Sequence, residues 1–125
     1  MERKTRQRAA IRAAFEAARR PLSPAEVLEI AQRDLDRLGI ATVYRNLKAM
    51  VEDGSLAKVE LPGEPDRYEL AGLAHHHHFR CRSCERVFDV TGCVEGLRNL
   101  VPRRFRLEGH ELTLVGQCGD CVRAA

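Results

Sequence analysis

Apolar residues recur with helical spacing in the first half of the chain. Residues 5–18 carry an apolar stripe at positions i, i+3, i+4 and i+7 with arginines on the opposite side, which predicts a helix. The stripe consists of Ile11, Ala14, Phe15 and Ala18. A second helix is predicted over residues 24–32, because Ser23, Pro24 and Glu26 have the spacing of a capping box with proline at the first helical position. The apolar residues that it should bury are Val27, Leu28 and Ala31.

A third apolar stripe predicts a helix over residues 41–52, which Gly54 would end. The stripe consists of Val43, Leu47, Met50 and Val51. The outer face of this helix would present Thr42, Tyr44, Arg45 and Lys48. Two short strands are predicted next, over residues 57–61 and 67–70, since the prolines and glycine of the Pro62-Gly63-Glu64-Pro65 segment impose a turn. Three helices followed by a hairpin predict a winged helix-turn-helix.

The composition changes after residue 72, since all five histidines and all five cysteines lie between His75 and Cys121. We therefore predict two domains, residues 1–72 and 73–125. The second domain is predicted to contain, in order, strand 74–80, strand 86–90, helix 94–101 and strand 112–115. The predicted fold class is α+β, a winged helix followed by a small α/β domain. Halves of this size bury little apolar surface, so we expect each to need a covalent staple, a metal or a partner chain for stability.

Charge is unevenly distributed along the chain. The first twenty residues contain seven arginines and lysines against two glutamates, a net charge of +5, whereas the whole chain carries +3. A basic arm of this kind suits the phosphates of nucleic acid, and an ordinary solvated helix face is the alternative. The sequence has no run of eighteen apolar residues and no signal-peptide pattern. We therefore expect a cytosolic protein without a membrane partner.

Two pairs of cysteines share the spacing C-x-x-C, Cys81 with Cys84 and Cys118 with Cys121. In a reducing compartment such cysteines are better candidates for metal ligands than for disulfides. The two-residue spacer lets both sulfurs of a pair face one ion, and four thiolates suit tetrahedral Zn²⁺. We therefore predict a structural zinc site that joins the two ends of the second domain. A thiol-disulfide couple is disfavoured, because neither pair is predicted to open a helix after a strand.

The fifth cysteine, Cys93, is unpaired, and we expect a small buried apolar residue there, with a redox or metal role as the alternative.

Four consecutive histidines, residues 75–78, lie in a segment that is predicted to be extended. Side chains alternate between the two faces of a strand, so His75 and His77 share one face while His76 and His78 share the other. One run can therefore serve two metal sites, with a polar strand without metal as the alternative. Each face needs further ligands, for which the chain offers Glu69, Asp89, Glu95 and His110. Mixed nitrogen and oxygen sets suit Zn²⁺, Fe²⁺, Mn²⁺ or Ni²⁺.

Taken together, these motifs resemble the ferric uptake regulator family of metal-dependent bacterial repressors, and the resemblance covers nearly the whole chain. The recognition-helix signature of the family is similar to Ala41-Thr42-Val43-Tyr44-Arg45-Asn46-Leu47. Its hinge and metal segment are similar to Tyr68-Glu69-Leu70 followed by the histidine run and Cys81-x-x-Cys84.

The resemblance implies roles for individual residues. Contacts to DNA would come from Tyr44, Arg45, Thr42, Lys48 and Arg8. A sensing site at the junction of the two halves would use Glu69, His76, His78 and Asp89. A second metal site in the dimerization domain would use His75, His77, Glu95 and His110. The structural zinc would be held by Cys81, Cys84, Cys118 and Cys121.

One position departs from the family pattern. Much of the family has a histidine two residues before the capping residue of the second helix, where it reaches the sensing ion, but this chain has Pro21. Neither proline nor the adjacent Leu22 has a ligating side chain. The departure predicts a junction site that is weaker or open to an outside ligand. It shifts regulation toward the site of His75 and His77 and disfavours a peroxide sensor.

The resemblance implies metal-controlled transcription. A homodimer joined through its C-terminal halves would present two winged helices to a palindromic operator in double-stranded DNA, with half-sites about 34–36 Å apart. A regulatory divalent metal would fix that geometry, so that the loaded protein represses genes of metal homeostasis or stress. One alternative is a cytosolic metal-buffering protein that does not read DNA. A metalloenzyme is disfavoured, because no HExxH helix is present and the winged helix leaves little room for a substrate cleft.

Overall fold

The computed structural model describes residues 2–125 and divides the chain into two compact units, Met1–Leu73 and Ala74–Ala125. The first unit contains α1 (Glu2–Ala18), α2 (Pro24–Ala31), α3 (Ile40–Glu52), β1 (Leu56–Val59) and β2 (Arg67–Leu70). The second contains β3 (His76–Cys81), β4 (Val87–Thr91), a 3-10 helix (Leu97–Leu100), β5 (Thr113–Gly116) and α4 (Gly119–Ala124). This mixture of helices and sheets confirms the predicted α+β class. Over residues 2–125, no helix is both long enough and apolar enough to cross a bilayer.

The core of the first unit lies among its three helices. Each predicted stripe supplies buried side chains, such as Phe15 of α1, Val27 of α2 and Leu47 of α3, each no more than 2% exposed. Burying one such side chain stabilises a fold by about 1.5–3 kcal/mol. The outer faces of α1 and α3 remain polar, which leaves them available for other contacts.

The ends of the helices follow local sequence signals. The Ser23 hydroxyl accepts a hydrogen bond from the Glu26 backbone N–H at 3.2 Å, and the Glu26 carboxylate accepts one from the Ser23 backbone N–H at 3.0 Å. This confirms the predicted capping box. Gly54 follows α3 with φ +85°, a left-handed conformation that glycine adopts without strain. Helix α1 begins at Glu2, earlier than predicted, because its first residues favour a helix without adding to the apolar stripe.

The hairpin of the first unit gains a third strand-like segment that the sequence did not predict. Strands β1 and β2 pair antiparallel, with Leu56 opposite Leu70. The Leu22 backbone N–H donates to the Tyr68 carbonyl at 2.8 Å, and the Tyr68 N–H donates to the Leu22 carbonyl at 2.9 Å. Helices and hairpin together form the predicted winged helix. One residue further along this antiparallel pairing, position 21 is opposite position 69.

Strand β3 is the central strand of the second unit, in the order β4-β3-β5. It pairs antiparallel with β4, which places His78 opposite Asp89, and parallel with β5, which places Phe79 opposite Leu114. The strand that carries the histidine run is therefore hydrogen-bonded on both edges. Its backbone is held by two neighbours, and its side chains project alternately to the two faces of the sheet.

In the second unit, the one predicted helix was wrong and another helix was not predicted. The helix predicted over residues 94–101 is reduced to the 3-10 helix Leu97–Leu100. Gly96 stands before it with φ +81°, and Leu100 is 78% exposed, so the segment buries no apolar face that would stabilise an α-helix. Helix α4 was missed, because its six residues are too few to show helical periodicity.

Candidate metal centres and nucleic-acid interface

The four paired cysteines converge in the second unit. Their sulfur atoms all lie within 4.8 Å of one another, and the Sγ atoms of Cys84 and Cys118 are 3.8 Å apart. Zinc–sulfur bonds of about 2.3 Å at tetrahedral angles put two sulfurs about 3.8 Å apart. All five cysteines of the chain are free thiols. The residues present therefore fit a tetrahedral zinc ion held by four thiolates.

Hydrogen bonds and burial shift the pKa values of these thiols in different directions. The backbone N–H groups of Cys84 and Cys118 lie 3.4 and 3.3 Å from the Cys81 sulfur, and together with further hydrogen bonds they lower the pKa of the Cys81 thiol to about 5. Burial raises the pKa of the Cys84 thiol, but hydrogen bonds from Arg86 outweigh it, so the net shift is downward. Hydrogen bonds with the sulfurs of Cys118 and Cys81 raise the pKa of the Cys121 thiol to about 12. Four thiolates this close need a cation among them.

Arg86 was not predicted as part of this cluster. Its Nε donates to the Cys84 sulfur at 3.1 Å, and its Nη2 lies 4.0 Å from the Cys118 sulfur and 3.6 Å from an Asp120 carboxylate oxygen. Four thiolates around Zn²⁺ carry a net charge of −2, which a guanidinium beside two of them partly offsets. The signal available in the sequence was a basic residue two positions after the first cysteine pair.

The second cysteine pair opens a short helix after a strand, contrary to the prediction. Cys118 directly precedes α4 and follows β5. The convergence of all four sulfurs, rather than the surrounding secondary structure, is what favours a metal site here.

One face of β3 brings His76 and His78 to a shared carboxylate. The Nε2 atoms of both rings lie 3.4 Å from the same Asp89 carboxylate oxygen. The Nδ1 of His76 is 2.8 Å from the Ala74 carbonyl, which can only accept, so Nδ1 carries the proton and Nε2 presents a lone pair. These three residues fit part of a mixed nitrogen and oxygen site. Glu69 lies on β2 of the first unit, and its part in this site stays a prediction.

The other face of β3 brings together three histidines and Cys93. The ligand-type atoms of His75, His77, His110 and Cys93 all lie within 4.8 Å of one another. Glu95, predicted for this site, is exposed and does not belong to the cluster found among residues 2–125. The expectation that Cys93 is buried was wrong, because it is exposed in the turn after β4. The alternation of side chains along β3 shows which of its own residues share a face. It cannot show which residue outside the strand folds back to join them.

The electrostatics of this cluster favour neutral imidazole. Burial lowers the pKa of His77, and the neighbouring His75 and His110 rings lower it further. His77 is 4% exposed, and its Nε2 points toward the other three residues. Neutral imidazole is the form that binds metals, so the surroundings keep His77 ready to act as a ligand.

The outer face of α3 is polar and open to solvent. Tyr44 is 55% exposed, and Arg45 and Lys48 are exposed on the same helix. The Arg45 Nη2 donates to the Thr42 hydroxyl at 3.0 Å, which orients the guanidinium along the helix. These four are among the five residues predicted to contact DNA, and their side chains can supply hydrogen bonds to base edges and phosphates. That contact itself stays a prediction.

Basic residues of α1 border the same region. One cleft beside α3 is lined by Lys4, Gln7, Thr42, Arg45, Asn46 and Ala49. A second cleft is lined by Arg3, Arg6 and Arg37 together with Gln7, Leu35, Asp36 and Leu38. Such clustering of positive charge suits the phosphate backbone of a nucleic acid.

Arg8 already has partners within the first unit. Its Nη2 lies 2.6 Å from an Asp53 carboxylate oxygen and donates to the Ser55 hydroxyl at 2.8 Å. Hydrogen bonds from the Ser55 hydroxyl and backbone, followed by that from Arg8, lower the pKa of Asp53 from 3.8 to about 2. Arg8 thus ties α1 to the turn after α3, and its predicted contact with DNA stays a prediction.

Comparison with known proteins agrees with this architecture. Residues 2–115 match the model of the ferric uptake regulator family. The ferric uptake regulation protein of Campylobacter jejuni is 35% identical over 98 residues, which cover 75% of this chain and 62% of that relative. The ferric uptake regulation protein of Bacillus subtilis is 30% identical over 119 residues, which cover 90% of this chain and 80% of that relative.

Among solved structures, a zinc-bound manganese uptake regulator superimposes with a TM-score of 0.79 at 26% identity, over 90% of this chain and 87% of that one. The chain spans less than two thirds of the Campylobacter relative, yet the family model covers nearly all of the chain itself. The chain therefore belongs to the ferric uptake regulator family.

Proposed function

We propose that this chain is a metal-responsive, sequence-specific DNA-binding regulator that represses genes of metal homeostasis or stress. The observation that carries the proposal is the two-sided strand β3. It presents His76 and His78 with Asp89 on one face and His77 in a cluster of histidines on the other. This strand follows a winged helix whose α3 exposes Tyr44 and Arg45.

The first unit would read DNA through α3. Arg45 can donate two hydrogen bonds to a guanine edge in the major groove, and Tyr44 and Lys48 lie on the same exposed face. The basic residues of α1 would add phosphate contacts, which raise affinity without selecting sequence. A homodimer would place two such helices on a palindromic operator, about 34–36 Å apart.

Metal control would act through ligands that come from both units. Glu69 belongs to the first unit, whereas His76, His78 and Asp89 belong to the second. A divalent ion, Fe²⁺, Zn²⁺, Mn²⁺ or Ni²⁺, would bind best when these ligands share one site. Binding would therefore favour the arrangement of units that makes the site, and metal affinity and DNA affinity would be coupled.

Pro21 changes this junction site in the present chain. The pairing of Leu22 with Tyr68 puts position 21 opposite Glu69, where a histidine could reach an ion bound by that carboxylate. Proline offers no ligating atom, so the coordination of the ion would be completed by water or by an outside ligand. Metal bound at the face of β3 that carries His75 and His77 would then contribute more to regulation.

The proposal is tested by selecting duplexes from a random library with untagged protein that retains its structural zinc. Each candidate ion is added in turn, and the enriched duplex is then titrated with and without a chelator. We expect a palindrome to be enriched with one ion and chelation to weaken binding by about 5–150-fold. We also propose that the chain is cytosolic, because thiols stay reduced in the cytosol and reduced cysteines are needed to bind metal.

Arg45→Ala should cost about 1–3 kcal/mol of binding to the enriched duplex and relax its sequence preference. Arg103→Ala removes the same charge from an exposed residue of the second unit and should leave the sequence preference intact. A chain that binds metal but enriches no sequence would be a metal buffer, and the proposal would fail.

A further inference from the structure

We propose that Cys93 is the fourth ligand of a closed metal site that it forms with His75, His77 and His110. The proposal deepens the proposed function, on which it rests for its regulatory meaning only. All four side chains belong to the second unit, so the site needs no ligand from the first unit. The Cys93 thiolate takes the place that was predicted from the sequence for the Glu95 carboxylate.

The close contacts around His77 require something other than hydrogen bonds. Its Nε2 lies 3.1 Å from the Nε2 of His75, 3.1 Å from the Nε2 of His110 and 3.5 Å from the Cys93 sulfur. An imidazole nitrogen carries either one proton or one lone pair, so it cannot make three good hydrogen bonds at once. A single cation at the centre would satisfy all of these atoms together.

The spacing of the atoms is that of a tetrahedral ion. Metal bonds of about 2.0–2.1 Å to nitrogen and about 2.3 Å to sulfur put two nitrogens about 3.3 Å apart and a nitrogen and a sulfur about 3.6 Å apart. The nitrogen–nitrogen distances from His77 are 3.1 Å. The Cys93 sulfur lies 3.5 Å from His77 Nε2 and 3.1 Å from His110 Nε2. Each pair is within about half an ångström of the expected edge.

The fold explains why Cys93, rather than Glu95, reaches the site. Strand β4 ends at Thr91, and Gly92 follows with φ +98°, where the chain bends beside the start of β3. Thr91 is paired with His76 in the sheet, so a residue just beyond the turn comes close to His77. Glu95 lies further along the exposed segment, directly before Gly96.

The ligand set narrows the class of metal. A thiolate is a softer ligand than a carboxylate, and with three imidazoles it suits Zn²⁺ or Co²⁺ better than Mn²⁺ or Mg²⁺. A neutral imidazole set with one thiolate reduces the charge of a divalent ion to +1. Four protein ligands close the coordination sphere, so this site would hold its ion without water, unlike the open site predicted at Pro21.

The test uses Co²⁺ as a spectroscopic probe on full-length protein whose four-cysteine site already holds Zn²⁺. Under anaerobic conditions, a bound thiolate gives a sulfur-to-cobalt charge-transfer band, whereas carboxylate and imidazole ligands do not. We expect this band to saturate with Co²⁺, together with the ligand-field bands of a tetrahedral ion. Zinc content is measured throughout, so that exchange into the four-cysteine site is detected.

Cys93→Ser should abolish the charge-transfer band and weaken Co²⁺ binding by at least about tenfold, whereas the matched variant Glu95→Gln should retain both. If Cys93→Ser keeps the band and the affinity while zinc content is unchanged, or if Glu95→Gln loses the affinity instead, the inference is wrong. Thermal unfolding of both variants checks that they remain folded. DNA plays no part in this measurement, so its failure leaves the proposed function standing.

Discussion

The two units of the chain are stabilised in different ways. The first buries a cluster of aliphatic residues and one phenylalanine among its helices. In residues 74–125 only His77, Cys81, Val87 and Cys118 are buried, and three of these four belong to candidate metal sites. A unit of this size lacks the surface for a sufficient apolar core, and metal coordination can supply the missing free energy. We therefore expect the unit that would read DNA to fold without metal, unlike the expectation from chain length alone, and the other unit to depend on metal.

Removal of the structural zinc should give the largest effect. Structural zinc contributes about 10–16 kcal/mol in zinc-finger peptides, more than the small core of the second unit can replace. We expect Cys118→Ser, or strong chelation, to unfold residues 74–125 and to leave the helices of the first unit folded. Residue-resolved hydrogen exchange measures this difference.

Ser83→Ala is the matched control for this loss. Ser83 lies in the spacer of the first cysteine pair, and its hydroxyl accepts a hydrogen bond from the Gln117 amide at 3.0 Å. The variant should retain zinc and protection in the second unit. If Cys118→Ser lost protection from hydrogen exchange equally in both units, the two units would not differ in their dependence on zinc.

Truncation of a core side chain in the first unit should destabilise that unit and leave the zinc site intact. The effect should be smaller than that of zinc removal. Phe15 is 2% exposed, so Phe15→Ala should destabilise the first unit by about 3–5 kcal/mol. Zinc content should remain unchanged, because all four zinc ligands belong to the second unit. Leu100→Ala, at a residue that is 78% exposed, should change stability by no more than about 0.5 kcal/mol. Chemical denaturation with zinc analysis compares the two variants.

Acid should produce the smallest of these effects, and in the first unit. The pKa of Asp53 is about 2 in the folded chain, against an ordinary value of 3.8. Because the folded value is depressed, the contribution of Asp53 to stability is present above pH 4 and is lost as the pH falls toward 2. The difference in melting temperature between the wild type and Asp53→Asn should shrink over that interval. A difference that is constant with pH would show that Asp53 does not contribute through its charge.

The same contrast explains how much could be predicted from the sequence. The stripe around Phe15 and the capping box at Ser23 are periodic or local signals, and both were confirmed. In the second unit, Leu97 and Leu100 have helical spacing, yet neither residue is fully buried and only a 3-10 helix forms. Periodicity predicts an element only where an apolar face is buried.

The candidate sites show the same limit. The four paired cysteines could be grouped from spacing alone, and they converge in the structure. Cys93 could not be placed, because its position depends on the turn at Gly92 and on the register of β4 against β3. Arg86 was missed for a related reason, since no motif marks the residue that offsets the charge of a thiolate cluster.

The run of identical side chains in β3 makes its register ambiguous. A slip of one residue against β4 and β5 would still present imidazoles on both faces of the sheet, but each histidine would exchange its partners. Cys81, at the end of the same strand, breaks this degeneracy, because a slip would turn its sulfur away from the other three cysteines. Zinc bound by the four cysteines would thus fix the register of β3. We therefore expect the four-cysteine site to be filled before either histidine face can bind its own ion.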